Sequence, residues 1–132
     1  MSTPASRLPA RTLLLVDDDA AVRAVAGRML REAGYAVLEA SDGLQAWTHF
    51  QRDPSRYDAL LTDVVMPRMP GTELAARVHS ARPSLPVLMM SAFTPADLLA
   101  RGLEASHGEV VPKPFNADQL LAAVARILNR DA

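Results

Sequence analysis

A chain of 132 residues with 49% apolar content and no cysteine has the size of one domain and excludes disulfides, thiol catalysis and cysteine metal sites. Its 14 Lys and Arg against 15 Asp and Glu leave a formal net charge of -1, which gives no basic field for nucleic acid and no polybasic membrane patch. No apolar run approaches the ~20 residues of a membrane span.

Met1 to Ala10 contains Arg7 but no apolar core region, so it is not a secretory signal. Residues 1–10 are expected to be a flexible lead-in and residues 11–130 the domain, and together these features point to a cytoplasmic module. Thr12 to Val16 reads as a buried strand stopped by Asp17-Asp18-Asp19. Ala20 to Ala33 has helical spacing, with Val22, Val25, Ala26, Met29 and Leu30 inward and Arg23, Arg28 and Arg31 on the solvated face. Asp19 is expected only to charge the start of that helix, and Gly34 closes it. Tyr35 to Glu39 reads as a second strand, and Ser41-Asp42-Gly43 opens a second helix with Leu44, Ala46, Trp47 and Phe50 inward.

The apolar run Tyr57 to Leu61 is a third strand that ends on Asp63, after which Pro67, Pro70 and Gly71 forbid regular continuation. A third helix spans about Thr72 to Ala81, and Pro86 to Met90 is a fourth strand ending on Ser91. Thr94-Pro95-Ala96-Asp97 starts a short helix that Gly102 ends. Glu109 to Pro112 is a fifth strand ending at Lys113-Pro114-Phe115, and Asn116 with Gln119 caps the last helix, whose buried stripe is Leu120, Val124, Ile127 and Leu128. His49, His79 and His107 are too scattered to form a metal cluster.

Five strands alternating with five helices imply a doubly wound α/β sandwich, because parallel neighbours need crossover helices. Right-handed crossovers favour the flavodoxin-like strand order 2-1-3-4-5, with Pro112 tolerated on an edge strand. That order lines Asp17, Asp18, Asp63, Ser91 and Lys113 along one sheet edge. Carboxylates so close repel unless a cation neutralises them, and an all-oxygen set suits Mg²⁺. Lys113 supplies a positive charge for a phosphate and Ser91 a hydroxyl donor. A carboxylate can attack a phosphoryl group and hold it, and Asp63, standing apart from the Asp17-Asp18 pair, is the best nucleophile.

Val16-Asp17-Asp18-Asp19, Asp63-Val64-Val65-Met66-Pro67 with Gly71, Ser91-Ala92 and Lys113-Pro114-Phe115 resemble the CheY-like receiver domain of two-component response regulators, from about Arg11 to Arg130. The resemblance implies that Asp63 accepts a phosphoryl group from a phosphohistidine on a histidine kinase or histidine phosphotransfer protein. Asp18, Asp63 and the main-chain carbonyl of Val65 would hold Mg²⁺, with Asp17 acting through water. Ser91 and Lys113 would bind the phosphoryl oxygens, Ser91 moving as the switch, and the Lys113-Pro114 bond would be cis. It also implies a signalling module, not an enzyme with turnover, that docks a downstream protein target and has no nucleic-acid or membrane contact of its own. Docking would use Ala21, Val22, Val25, Pro114 and Phe115. Because the pattern closes with the last helix, no output domain is expected, so the receiver stands alone or comes from a hybrid sensor kinase.

Two positions depart from the family pattern. The usual aromatic residue three before the lysine is Val110, which leaves Phe93 to take part of its role. The positions two after the aspartate and two after the serine are Val65 and Phe93, which would screen an acyl phosphate from water and slow its loss. A small Mg²⁺-dependent phosphatase or phosphotransferase is the alternative, but it would want an acid-base aspartate where Val65 stands, and a cap. A flavin-binding module would want phosphate-binding loops where Asp17-Asp18-Asp19 would repel phosphate.

Overall fold

Five short strands alternate with five helices in the computed structural model, which describes residues 10–103 and 108–129. The expected lead-in at residues 1–10, apart from Ala10, and His107 lie outside the described residues. In chain order the elements are β1 (Thr12–Val16), α1 (Ala20–Glu32), β2 (Ala36–Ala40), α2 (Gly43–Arg52) and β3 (Ala59–Asp63). There follow α3 (Gly71–Ala81), β4 (Val87–Ser91), α4 (Pro95–Ala100), β5 (Glu109–Pro112) and α5 (Ala117–Asn129). All pairings are parallel and the order is β2-β1-β3-β4-β5, the doubly wound arrangement that the alternation implied.

The period of two in each strand divides the core into two layers. Leu13, Leu15, Leu61, Leu88 and Met90 face Ala26 and Leu30 of α1 and the Leu120–Leu128 stripe of α5. Leu14, Val16, Leu60 and Met89 face Ala46 and Phe50 of α2, Leu74, Ala75 and Val78 of α3, and Leu98 of α4. Capping residues set the helix starts. Asp19 accepts from the amides of Ala21 and Val22, Asp42 from Gln45, and Thr94 and Asp97 form a reciprocal box. Asn116 and Gln119 exchange the same pair of bonds ahead of α5.

Small shifts in element bounds have local causes. The Tyr35 amide bonds back to Leu30 at the end of α1, so β2 begins at Ala36, one residue late. Tyr57 closes a 3-10 turn, Pro54–Arg56, so β3 begins at Ala59. Two inward assignments are corrected. Leu44 is 58% exposed, because Gly43, Ala46 and Phe50 carry the buried face of α2 and Leu44 lies on the far side of that helix. Val25 is 53% exposed: α1 rests on Ala26, Gly27 and Leu30, and Gly27, lacking a side chain, lets Glu39 of β2 close on the opposite flank.

Leu61, fully buried between α1, α5 and the sheet, should cost about 2–5 kcal/mol of stability when cut to alanine. Leu44→Ala should change stability by less than about 0.5 kcal/mol. Urea midpoints of the two variants, at unchanged slope, check the pair.

Candidate functional site

The carboxyl edge of the sheet is where the ladders stop and polar side chains begin. β1 pairs with β3 as far as Val16 and Thr62, β3 with β4 as far as Asp63 and Met90, and β4 with β5 as far as Ser91 and Pro112. The next polar residues of adjacent strands are therefore neighbours. One carboxylate oxygen from each of Asp17, Asp18 and Asp63 lies within 4.8 Å of the others. Asp17 is fully buried, Asp63 nearly so, and Asp18 is exposed at the rim.

Lys113 reaches into this cluster from the end of β5. Its Nζ lies 2.8 Å from Asp17 Oδ2 and 3.3 Å from Asp63 Oδ1. Burial opposes the lysine charge, yet the hydrogen bond to Asp17 and the charges of Asp63 and Asp17 outweigh it and hold the pKa above the usual lysine value. Asp63 goes the other way from an ordinary carboxyl: burial, only partly countered by Lys113 and aided by Asp17, pushes it up to about 6. A buried carboxylate with too little positive charge around it is what a divalent cation would relieve, and three converging carboxylates fit a hard ion such as Mg²⁺.

Main-chain contacts fix the side chains that matter. The Asp63 carbonyl accepts from Thr62 Oγ1 at 2.9 Å, and the Gly71 amide donates to the Val64 carbonyl at 2.8 Å. A Cβ on Gly71 would stand 2.0 Å from the Asp63 carbonyl oxygen, so α3 can start against this strand end only with glycine. In the loop between them Arg68 takes a left-handed conformation, φ 68°. Val65 lies in the same loop, two residues beyond Asp63, with its side chain against the core.

Ser91 is buried on the same edge, but its hydroxyl is engaged elsewhere. It accepts from the Phe93 amide at 3.0 Å and donates to the Phe93 carbonyl at 3.1 Å. The Phe93 ring is half-buried, and the Arg101 guanidinium sits 4.2 Å from its centre. Val110 packs partly buried against the same core layer. The Lys113-Pro114 bond is cis.

Asp19, expected only to favour the start of α1, is its N-cap, and its own amide donates to Asp17 Oδ1 at 2.9 Å. Arg23 corrects the reading of the α1 arginines as a solvated face. Its guanidinium donates to the Asp17 carbonyl at 2.6 Å and pairs with Glu39 at 3.3 Å, and Arg31 pairs with the same glutamate at 2.8 Å. The sequence held one signal for this: Glu39 is a lone charge in an otherwise apolar strand. His49 is half-buried on α2 and His79 exposed on α3, both away from the cluster elements.

Beside Lys113 a cavity of about 410 Å³ opens between α1 and the turn after β5, lined by Ala21, Val22, Val25, Pro114 and Phe115. These are the small and apolar residues expected to dock a partner, and the exposed Val25 belongs to this wall. Among the described residues no helix is long and apolar enough to cross a membrane.

The sequence model of one family, the response regulator receiver domain, matches residues 13–125. Among curated relatives, the response regulator MprA of Mycobacterium leprae (strain TN) is 40% identical over 118 residues, covering 89% of this chain and 51% of that protein. The chain thus spans about half the length of the curated relatives it matches. A putative response regulator from Chloroflexus aurantiacus J-10-fl superposes with a TM-score of 0.81 at 34% identity, covering 92% of this chain and all of that one (100%). The receiver domain from the hybrid histidine kinase CckA superposes with a TM-score of 0.75 at 32% identity, covering 89% and 98% of the two chains.

Because folding raises the Asp63 pKa from 3.8 to about 6, the folded state retains a proton that the unfolded chain loses between those values. The stability this contributes is present below about pH 4 and lost as pH rises through about 6. Asp63→Asn, which cannot ionise, should therefore stabilise the metal-free protein at pH 8 by about 1–3 kcal/mol, and the gain should vanish towards pH 4. Urea unfolding of the two proteins across that range, with chelator present, measures it.

Proposed function

The chain belongs to the response regulator receiver domain family, and from that premise we propose that it is a phosphoacceptor in which Asp63 takes a phosphoryl group from a phosphohistidine. The donor would be a histidine kinase or a histidine phosphotransfer protein, whether the unit works alone or within a longer kinase or regulator. The observation that carries this reading is the junction of Asp17, Asp18 and Asp63 with Lys113 at one sheet edge.

In the transfer, an ionised Asp63 oxygen forms a bond to phosphorus as the bond from phosphorus to the imidazole nitrogen breaks; the imidazole then carries the electron pair and takes a proton. Mg²⁺, held by Asp18, Asp63 and the Val65 carbonyl with Asp17 behind them, would neutralise the carboxylates and the charge on the transferring oxygens. Lys113, already between Asp17 and Asp63, stabilises the charge on the phosphoryl oxygens without having to move far. The apolar wall of Val22, Val25, Pro114 and Phe115 receives the donor's helical surface and keeps bulk water from the transfer. Val65 and Phe93 flank the product ester with apolar groups, so its hydrolysis is slow.

The output starts at Ser91. To reach a phosphoryl oxygen its hydroxyl must leave both Phe93 main-chain atoms, which frees the turn ahead of α4 and the ring beneath Arg101. With Val110 at the usual aromatic position, this turn takes over the coupling and remodels the α4 side for a downstream protein target. A metabolite phosphatase is disfavoured by Val65, which offers no proton-transfer group two residues after Asp63.

Incubation with Mg²⁺ and a small acyl-phosphate donor should give a single phosphoryl adduct by intact mass, absent from Asp63→Asn and from samples with chelator. A wild-type adduct that persists in Asp63→Asn would remove this assignment. Upon phosphorylation, the amide of Phe93 should show a large NMR shift in the wild type and a much smaller one in Ser91→Ala. Equal shifts in both would exclude the serine-to-Phe93 route.

A further inference from the structure

Asp17 is the last residue before the chain turns from β1 into α1, and its carbonyl lies beyond the β1–β3 ladder, which ends at Val16. A carbonyl at a strand end needs another partner. Here that partner is the guanidinium of Arg23, one turn into α1, at 2.6 Å. The same guanidinium pairs through Nε with Glu39 on β2 at 3.3 Å, and it is only 18% exposed. Glu39 is in turn held by Arg31 at 2.8 Å, and Arg31 also donates to the Val37 carbonyl at 3.1 Å. Gly27 makes room for this strap: a Cβ there would stand 2.9 Å from Glu39 Oε2.

The contact bears on more than one carboxylate. The Asp17 carbonyl belongs to the peptide that joins Asp17 to Asp18, so its direction sets where the Asp18 side chain leaves the backbone. The other polar groups of Asp17 are committed as well: its amide donates to Ala40 at 3.3 Å, Oδ1 accepts from the Asp19 amide, and Oδ2 accepts from Lys113. Arg23 therefore engages the remaining polar group of Asp17, in the turn that carries two of the three clustered carboxylates. Glu39 is shared by Arg23 and Arg31, so the strap as a whole keeps one net positive charge.

We propose that Arg23 is a positioning residue: clamped by Glu39 and bonded to the Asp17 carbonyl, it fixes the Asp17-Asp18 peptide so that both carboxylates converge with Asp63 on a divalent cation. This rests on the metal-dependent reading given above. Arginine is required because its planar fork serves the carbonyl and the glutamate together, whereas one ammonium cannot hold both in the same geometry.

Arg23→Lys keeps the charge and removes the fork. It should weaken Mg²⁺ binding, read by calorimetry on the full chain, by about tenfold, in line with losses on removing groups that orient metal ligands. The Asp17 carbonyl carbon should shift in the NMR spectrum of the metal-free protein. Arg31→Lys, which touches Glu39 but not Asp17, should leave Mg²⁺ affinity within about twofold of wild type, although both variants share the Glu39 contact. Unchanged Mg²⁺ affinity in Arg23→Lys, or an equal loss in Arg31→Lys, overturns the positioning role while leaving the phosphoacceptor reading intact. Absence of Mg²⁺ binding by the wild type overturns that reading and this inference together.

Discussion

Two buried carboxylates facing one lysine are the constraint on which the rest of this structure depends. Asp17 and Asp63 less than 5 Å apart repel by roughly 3–4 kcal/mol at an effective dielectric near 20. Lys113, in contact with both, offsets a repulsion of that size but leaves the cluster negative once Asp18 is counted. The raised pKa of Asp63 comes first from its burial, which Lys113 only partly counters and to which Asp17 adds. A fold that sought only stability would have placed apolar side chains here. The site instead retains an unmet charge that a divalent cation and a phosphoryl group can meet.

Holding such a site in place falls largely to the backbone. The carbonyls of Asp17, Asp63 and Ser91 lie at ladder ends and are taken by Arg23, Thr62 and the Lys113 amide, respectively. That last bond, at 2.8 Å, ties β4 to the turn that delivers the lysine. Gly71 lets α3 start directly against Asp63, so the strand end is buttressed from one side by a helix and from the other by β1. The parallel order matters for the same reason. It brings the ends of β1 and β3 side by side at the sheet centre, between the two flanking layers of core.

The fold was legible because each strand is a short apolar run with a polar stop, and each helix has a readable cap. The cluster was legible for a related reason: topology alone brings Asp17, Asp18, Asp63 and Lys113 to one edge. What escaped was rotation and pairing. Spacing gives the phase of a helix only to within one position, so Val25 and Leu44 read as inward, although Gly27 lies against Glu39 of β2 and Gly43 against Met69. Arg23 looks no different from Arg28 in sequence. Only the structure shows that the first is clasped between β2 and the Asp17 carbonyl, while the second makes a solvent-exposed pair with Glu32.

Under the proposed reading, Val110 in place of an aromatic would change where a signal leaves the site. A β-branched side chain has few rotamers and no ring to swing, so Val110 cannot report on Ser91 by turning. The turn from Ser91 to Thr94 can, because the serine hydroxyl is one of its own hydrogen bonds. That turn leads into α4, which at six residues is the shortest α-helix among the described residues and too short to be stable by itself. Among the described residues, its contacts include the buried Leu98, the Thr94–Asp97 cap, and the contact of Arg101 with the Phe93 ring at its far end. Two of those three anchors start from the residues that Ser91 bonds or from the residue beside them. A segment with so few independent contacts sits at the low end of local stability, where a change of one or two hydrogen bonds is enough to shift its population. Under the proposed phosphoacceptor reading, the coupling would be carried by backbone and by a cation on a ring, and would reach the surface through α4.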